Sequence, residues 1–355
     1  MIDTFWKDRR VFVTGHTGFM GGWLCALLVR AGARVTGYAL APPTKPSFAE
    51  ATGIEDRIDA SIRADIRDLD TLTEAMIKAD PEVVFHLAAQ PLVLEAYDKP
   101  VETFETNVMG TVNLMEAARR LGSLGALVMV TTDKVYKNEN WHWPYRENDR
   151  LGGREPYSAS KAASEFVIDA YRASYLADVG VAAIRAGNII GGGDWAENRL
   201  VPDAIRSFAS GRPLTLRHPG STRPWQHVLD PLAGYMRLAA RLVAEPQVYS
   251  GGWNFGPAPK DCQPVSQLAS LLAENWGDGA EVVVEGASTV FEETFLSLDS
   301  AQAHARLGWH PRWPLETGVK ALSDWYRGWH DGADMWALTM AQIEDFETLG
   351  EHHGA

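Results

Sequence analysis

Short apolar runs alternate with longer segments of helical periodicity through the first half of the chain. Consecutive apolar residues predict strands over 10–14, 34–40, 83–86, 127–131 and 181–185. Between them, apolar residues at helical spacing predict helices over 18–30, 69–78, 100–121 and 157–175. Strands that alternate with helices build a mostly parallel sheet covered on both faces. We therefore expect an α/β fold with a doubly wound parallel sheet over residues 1–187.

The pattern is less regular in the second half of the chain. Helices are predicted over 202–210 and 228–244, and loops over 191–195 and 251–257. We expect residues 188–330 to form a smaller mixed α/β substrate-binding domain that is interwoven with the first. Residues 331–355 are predicted to form a peripheral helical tail.

Composition narrows the class of protein. The 355 residues carry a net charge of −13, with 46% hydrophobic and 22% charged residues, which is ordinary for a globular protein. The acidic balance argues against binding to a nucleic-acid backbone, which needs clustered Lys and Arg. Cys25 and Cys262 alone make neither a disulfide framework nor a zinc site, so no metal is expected. The N-terminal residues lack an apolar signal region, and no run approaches the ~18–20 apolar residues of a membrane span. We expect a cytoplasmic protein without a membrane partner.

Three glycines follow the first predicted strand and open the first predicted helix. Gly15 permits a tight turn, Gly18 lets backbone N–H groups approach a pyrophosphate, and Gly21 lets helix and strand pack closely. This placement predicts a Rossmann-like dinucleotide site. The acidic residue expected about 20 residues further on, for the adenosine ribose, is missing from the end of the second strand. The choice between NAD and NADP is therefore open, and Asp65 is either an adenine ligand or a loop carboxylate.

Tyr157 and Lys161 lie four positions apart and share one face of a predicted helix. A lysine ammonium near a phenol lowers the phenol pKa from about 10, so that the tyrosine can take a proton from a substrate hydroxyl. Thr132, Asp133 and Lys134 follow another predicted strand, and α/β folds build their active sites at strand C-termini. These five residues are the predicted catalytic group.

Several motifs together resemble a known family, the extended short-chain dehydrogenase/reductases. These are tyrosine-dependent enzymes that act largely on nucleotide sugars, and the resemblance rests on 14–21, 86–90, Asn107, Thr132 and the Tyr157/Lys161 pair. Further stretches over 37–44, 132–134, 145–148, 185–195, 223–228 and 308–313 are similar to the CDP-glucose 4,6-dehydratase branch of that family. The resemblance covers nearly the whole chain.

The resemblance implies a 4,6-dehydratase with tightly held NAD that converts CDP-D-glucose to CDP-4-keto-6-deoxy-D-glucose, in deoxysugar biosynthesis such as that of O-antigen. Tyr157 would take the 4-hydroxyl proton during oxidation at C4, Thr132 would bind the 4-oxygen, and Asp133 would protonate the departing 6-hydroxyl. Lys134 stands where relatives acting on dTDP-hexoses have a glutamate as C5 base. It is either the base, which requires a lowered pKa, or a positive charge that stabilises the enolate.

The same resemblance assigns two binding sites and implies a homodimer or homotetramer. The residues implied for the cofactor are Gly15, Thr17, Gly18, Phe19, Met20, Gly21, Asp65, Ile66, Leu87, Ala88, Ala89, Gln90, Asn107, Tyr157 and Lys161. The residues implied for the nucleotide sugar are Asn188, Asp194, Trp195, Arg199, Leu200, Arg217, Arg223 and His227. Arg217 or Arg223 suits the diphosphate, because guanidinium makes bidentate contacts with phosphate. Trp195 either lines the nucleotide-sugar pocket or packs in the core.

Four positions depart from the family pattern. Leu94 and Ala96 stand where relatives usually have arginine and serine. Phe291 and Ser297 stand where relatives tend to have histidine and lysine. These changes fit a different nucleotide or a differently substituted hexose as the substrate.

Two other functions stay open. A 4-epimerase or ketoreductase of the same family needs no elimination across C5–C6, so Asp133 and Lys134 favour the dehydratase over it. A dinucleotide-binding regulator without turnover needs no catalytic group, so Thr132, Tyr157 and Lys161 argue against it.

Overall fold

The computed structural model describes residues 4–277, 279–284 and 296–351. The strands are β1 (Arg10–Thr14), β2 (Arg34–Ala39), β3 (Ala60–Arg63), β4 (Val83–His86), β5 (Ala126–Val130), β6 (Gly180–Ala186), β7 (Ile189–Ile190), β8 (Leu214–Leu216), β9 (Thr222–Pro224), β10 (Gln226–His227), β11 (Gly251–Phe255), β12 (Cys262–Pro264) and β13 (Val282–Val284). The helices are α1 (Phe19–Arg30), α2 (Phe48–Thr52), α3 (Leu69–Ala79), α4 (Val93–Asp98), α5 (Pro100–Phe104), α6 (Gly110–Ala118), α7 (Pro156–Tyr175), α8 (Leu200–Ala209), α9 (Leu229–Ala244), α10 (Pro246–Tyr249), α11 (Val265–Trp276), α12 (Ala301–Leu307), α13 (Leu315–His330) and α14 (Met335–Glu351).

The main sheet is parallel throughout, in the order β11-β6-β5-β4-β1-β2-β3. Successive residues of β1 pack into different cores, because side chains along a strand point alternately to the two faces of the sheet. Val11 and Val13 pack with α1, α9 and α13 on one face, and Phe12 packs with α3, α6 and α7 on the other. The order β3-β2-β1-β4-β5-β6 is that of the Rossmann fold, so the predicted α/β class and doubly wound sheet are confirmed.

The chain returns to the main sheet at β11, where the sequence predicts a loop over 251–257. β11 pairs with β6 from Gly251 opposite Ala182 to Phe255 opposite Ala186. The loop prediction was wrong, because Trp253 and Phe255 are buried strand residues whose alternation is concealed by the two leading glycines. This strand lies within the range 188–330 predicted for the second domain. The boundaries of the two domains stay a prediction.

The helix predicted over 100–121 is interrupted. A π-helical segment spans Glu105–Met109, between the end of α5 and the start of α6. Such turns occur frequently at functional sites. Asn107 lies in this turn and is buried in the protein interior.

The second half of the chain contributes small strand pairs and covering helices. β8 pairs with β13, β9 with β12, and β10 with β7. α14 forms the predicted helical tail, but Ile343 and Phe346 are buried in the core that also contains α1. α14 lies against α13, α2 and α1, and the boundaries of the tail stay a prediction. Within the described residues, no helix combines the length and apolar character that crossing a membrane requires.

Candidate active site

The glycine-rich loop joins β1 to α1 and has no room for side chains at two of its glycines. Gly15 has a φ of 78°, and a Cβ there would lie 2.8 Å from the Ala88 backbone nitrogen. A Cβ on Gly21 would lie 2.1 Å from the Gly15 carbonyl oxygen. Gly18 caps α1 without a side-chain hydrogen bond, and Phe19 begins the helix. The bare backbone at a helix N-terminus fits the pyrophosphate of a dinucleotide.

A buried histidine fixes the loop that follows β4. The Thr14 hydroxyl accepts hydrogen bonds from the backbone N–H groups of Leu87 and Ala88 at 3.1 and 3.2 Å. It must therefore donate its own proton to His86 Nδ1, 2.8 Å away, and His86 Nε2 faces Thr111 Oγ1 at 3.3 Å. Burial, with the nearby charge of Lys161, lowers the pKa of His86 to about 3. His86 is therefore a neutral positioning group rather than a base.

Asn107 ties the same loop to the catalytic helix. Its Oδ1 accepts from the Gln90 backbone N–H at 2.8 Å, and its Nδ2 donates to Gln90 O at 3.1 Å and to Ser160 Oγ at 2.9 Å. The Ser164 hydroxyl donates to Asn107 O at 2.8 Å. Asn107 was assigned to the cofactor, and in the structure it lies behind the loop formed by Leu87, Ala88, Ala89 and Gln90, which it positions.

Asp65, which was predicted to be either an adenine ligand or a loop carboxylate, is hydrogen-bonded to a neighbouring side chain. Asp65 Oδ2 accepts from Arg67 Nη2 at 2.7 Å, and Asp65 Oδ1 accepts from the Arg67 backbone N–H at 2.8 Å. The hydrogen bond from the Arg67 side chain lowers the pKa of Asp65 despite partial burial. Ile66 is buried against Gly110, where a Cβ would lie 2.7 Å from Ile66 Cγ2. The turn after β3 is thus held by hydrogen bonds and by close packing.

The predicted catalytic residues come together at the end of β5 and the start of α7. Glu155 caps α7 and accepts from the Tyr157 backbone N–H at 2.7 Å. The Tyr157 side chain is hydrogen-bonded to Thr132, whose hydroxyl donates to Asp133 Oδ1 at 3.0 Å. One turn along α7, Lys161 Nζ donates to Val130 O at 3.2 Å. The phenol, the hydroxyl and the carboxylate form one hydrogen-bonded series.

The pKa of Tyr157 differs from the sequence-based expectation. Burial raises it to about 12, and the hydrogen bond with Thr132 and the charge of Arg199 offset only part of that effect. Lys161 was expected to lower this pKa directly. Instead its ammonium is turned to the Val130 carbonyl, and burial lowers the pKa of Lys161 to about 8.

Asp133 and Lys134 occupy a short 3-10 turn, Asp133–Val135, that follows β5. Asp133 is buried, and Gly187 at the end of β6 makes room for it, since a Cβ there would lie 2.2 Å from Asp133 Oδ2. Lys134 is half-buried, and its backbone N–H lies 3.4 Å from Thr132 Oγ1. The Asp133 carboxyl thus acts on Tyr157, and Lys134 follows it in the same turn.

A buried ion pair behind the catalytic helix was missed by the sequence analysis. Glu165 lies one turn after Lys161, and its carboxylate accepts from Arg185 Nε at 2.9 and 3.1 Å and from the Thr131 hydroxyl at 2.7 Å. Arg185 also donates to Tyr136 Oη at 2.7 Å. The sequence signal that could have revealed Glu165 is its position four residues after Lys161, because this spacing places both side chains on one face of α7.

Among the predicted substrate residues, Arg199 is the one whose charge acts on Tyr157. Its Nη1 donates to Asp194 Oδ2 at 2.9 Å, and its charge acts on Tyr157. Burial acts to lower the pKa of Arg199, but Asp194 outweighs it and raises the pKa above its ordinary value. Leu200 begins α8 directly after it. The guanidinium is therefore charged beside the phenol.

The other predicted substrate residues are spread over the second half. Asn188 follows β6 with a φ of 32°, and its carbonyl accepts from Gln226 N at 3.3 Å. Arg217 is exposed after β8, and Arg223 is half-buried on β9 with Nη1 donating to Thr222 O at 3.0 Å.

Two further residues that were assigned to the substrate are buried among aromatic rings. His227 is buried between aromatic rings, 4.8 Å from Trp313 and 6.0 Å from Trp23 between ring centroids. Burial lowers the pKa of His227 to about 3, so it is a neutral core residue. Trp195 packs edge-on against Trp325 in the core, and its contact with the substrate stays a prediction.

The departures from the family pattern occupy different environments. Leu94 is exposed on α4, and Ala96 on the same helix is fully buried. Ser297 is buried, and its carbonyl accepts from the Tyr145 backbone N–H at 2.9 Å. Phe291 lies outside the described residues.

Comparison with known proteins assigns the family. A sequence profile described as "NAD dependent epimerase/dehydratase family" matches residues 11–252. A CDP-glucose 4,6-dehydratase of Salmonella typhimurium is 46% identical over 354 residues, with 98% of each chain covered. A dTDP-glucose 4,6-dehydratase of Streptomyces antibioticus is 32% identical over 325 residues, with 89% of this chain and 92% of the relative covered. A crystal structure of a Thermus thermophilus UDP-glucose 4-epimerase in complex with NAD matches with a TM-score of 0.76 and 25% identity, over 90% of this chain and 99% of that one. The chain belongs to the NAD dependent epimerase/dehydratase family.

Proposed function

We propose that this protein is an NAD-dependent nucleotide-sugar 4,6-dehydratase, and that its substrate is CDP-D-glucose. The observation that carries this proposal is the hydrogen-bonded series of Tyr157, Thr132 and Asp133, with Lys134 next in the same turn. This series would supply a proton acceptor, a binder for the 4-oxygen and an acid, and Lys134 adjoins it in the chain. The full-length similarity to a CDP-glucose 4,6-dehydratase supports the choice of nucleotide and hexose.

The first stage is oxidation at C4 of the hexose. When bound, NAD⁺ would supply the redox chemistry as an acceptor and donor of hydride. Tyr157 takes the proton of the 4-hydroxyl, and Thr132 holds the 4-oxygen. Burial raises the pKa of Tyr157 to about 12, so the phenol needs positive charge nearby to act as a base at neutral pH. The charge of Arg199 lowers the pKa of Tyr157, and Lys161 lies one turn away on α7.

The second stage is loss of water across C5–C6. A 4-ketone makes the C5 proton acidic, and Lys134 either removes that proton or stabilises the enolate by its charge. Asp133 gives a proton to the 6-oxygen, which leaves as water. Reduction at C6 and protonation at C5 complete the product, which is the substrate less one water.

We propose that the cofactor and the nucleotide sugar bind at the same edge of the sheet. The cofactor is proposed to occupy the backbone cradle of Gly15, Gly18 and Gly21, and Lys161 is proposed to bind its ribose hydroxyls. Arg199 is proposed as a contact for the nucleotide sugar because it is charged and lies beside Tyr157. Arg217 and Arg223 are proposed for the diphosphate.

The test is an assay with the purified full chain, NAD⁺ and a panel of CDP-, dTDP-, UDP- and GDP-glucose. Mass spectrometry is expected to find the loss of one water from the CDP sugar and little change in the others. Inversion at C4 with the 6-hydroxyl retained would instead indicate a 4-epimerase. Water loss from another member of the panel would correct the nucleotide and leave the reaction class intact.

We also propose that two chains associate through the helices around the π-helical turn. Val101 and Met109 are 72% and 49% exposed on this surface, and Phe166 on α7 is 64% exposed. α5, α6 and α7 pack side by side in each chain, so a second copy would bury these apolar side chains in a four-helix bundle. A cytoplasmic location fits an enzyme that uses a dinucleotide and a nucleotide sugar.

A further inference from the structure

The adenosine end of the cofactor site lacks the usual acidic residue. Dinucleotide-binding folds place an Asp or Glu at the end of the second strand to bind the ribose 2′-hydroxyl, or an Arg nearby to bind the 2′-phosphate of NADP. β2 ends at Ala39, and the next residue, Leu40, is 58% exposed. The Thr17 hydroxyl donates to Leu40 O at 3.0 Å, so this strand end directly adjoins the glycine-rich loop.

An ion pair from outside β2 borders this strand end. Glu55 lies in a 3-10 turn, Ile54–Asp56, and Arg63 ends β3. Arg63 Nε donates to Glu55 Oε1 at 2.8 Å, a second contact joins Arg63 Nη2 to Glu55 Oε2, and Arg63 Nη1 lies 3.4 Å from Leu40 O. Both an acid and an arginine are therefore present at the position where β2 supplies neither.

Further contacts keep the Glu55 carboxylate in place. It accepts from the Ser61 hydroxyl at 2.6 Å, and His16 Nε2 of the glycine-rich loop lies 3.6 Å away. Burial acts to raise the pKa of Glu55, but the hydrogen bonds from Arg63 and Ser61 outweigh it and leave the pKa below its usual value. The group is therefore an anion at neutral pH.

We propose that the Glu55–Arg63 pair sets the preference of this site for NAD over NADP. The inference rests on the proposed use of a dinucleotide. A 2′-phosphate needs an arginine whose planar fork is available, and Glu55 already occupies that of Arg63. The carboxylate also repels a second anion, whereas it accepts a hydrogen bond from a ribose hydroxyl.

The test measures binding of NAD and of NADP to the full chain by isothermal titration calorimetry. The unchanged protein is expected to bind NAD more tightly than NADP. In Glu55→Gln, which keeps the size of the side chain, NADP is expected to bind about tenfold tighter because Arg63 becomes available, with the Kd for NAD within about threefold. In Glu55→Gln with Arg63→Met, the gain for NADP is expected to disappear. Glu50→Gln, an exposed acid on α2, is the matched control and should change neither Kd.

An unchanged ratio of the two Kd values in Glu55→Gln, or a gain that persists without Arg63, would overturn the proposal. Arg63→Met alone provides a second route if Glu55→Gln does not fold. It leaves Glu55 as an uncompensated anion, and we expect it to weaken NADP binding further with little effect on NAD; unchanged NADP binding would contradict the inference. Titration involves no turnover, so a protein that binds NAD selectively but releases no water would refute the proposed reaction and leave this inference standing.

Discussion

Tyr157 is the side chain on which the proposed reaction depends most directly. Tyr157→Phe removes the proton acceptor but keeps the ring that fills the site, so we expect kcat to fall by about 10²-fold or more. The Kd for NAD should change little, because the glycine-rich loop is untouched. Tyr175→Phe is the control, since Tyr175 lies on the same helix and is 56% exposed. Full activity of Tyr157→Phe would remove the tyrosine from the mechanism.

Lys134 has two possible roles, and two substitutions separate them. Lys134→Met removes both the base and the charge, so we expect oxidation at C4 to continue while water loss falls about 10²-fold. NADH absorbance and product mass measure the two stages. Lys134→Arg keeps the charge but cannot supply a neutral base. Recovery of water loss in this variant indicates electrostatic stabilisation, and no recovery indicates a base. Undiminished water loss in Lys134→Met would exclude both roles.

Some residue assignments follow from local sequence and others do not. The closeness of Tyr157 to Thr132, with Lys161 one turn along α7, was predictable because helical spacing and a strand end are local features. The burial of His227 was not predicted, because nothing in its neighbourhood in sequence reveals the rings of Trp23 and Trp313 that surround it. The arrangement of distant aromatic residues is a property of the tertiary fold.

At the scale of elements, the strands and helices that pack on near neighbours were predictable. β1, the glycine-rich loop and α1 were predicted within a residue because apolar runs and glycine spacing specify them. β11 was missed because its first two residues are glycines, which conceal the alternation of Trp253 and Phe255. The π-helical turn at Asn107 was missed because its buried hydrogen bonds to Gln90 and Ser160 come from other elements.

A buried carboxyl on α9 makes the stability of the fold depend on pH. Burial raises the pKa of Asp230 to about 7, although the backbone N–H groups of Arg312 and Trp313 hydrogen-bond it. The folded state therefore holds this proton more tightly than the unfolded chain. Its stabilising contribution is complete below the unfolded value of 3.8 and is lost as the pH rises toward 7.

Asp230→Asn cannot ionise and tests this contribution. We expect the free energy of unfolding of the variant, relative to the unchanged protein, to increase between pH 3.8 and about 7. The increase should be a few kcal/mol at most, since one pKa unit corresponds to about 1.4 kcal/mol. Urea unfolding at several pH values measures it. Asp178→Asn, at an exposed position, should show no such trend. A difference that is constant with pH would contradict the assignment.

At the scale of the whole molecule, the net charge of −13 and the cationic site are compatible. The acidic surface disfavours polyanions, while Lys161 and Arg199 give the site positive charge for one small anionic ligand. The exposed apolar surface around Phe166 is the part of the molecule that a second chain is expected to cover.

Phe166→Asp tests this association. A buried charge in the centre of the bundle is expected to separate the chains, so that light scattering gives the 39.0 kDa of a single chain where the unchanged protein gives a multiple of it. Val248→Asp is the control, because Val248 is 47% exposed on α10, away from this surface. A single chain in the unchanged protein would refute the proposed dimer.

The measurement that tests the central proposal most directly uses CDP-D-glucose carrying deuterium at C4, with the unchanged protein and NAD⁺. Transfer from C4 to C6 within one site predicts a product that has lost one water and carries the deuterium at C6. Mass spectrometry and NMR of the product locate the label. A C4-inverted hexose that keeps its 6-hydroxyl, or a dehydrated product without deuterium at C6, would contradict the account.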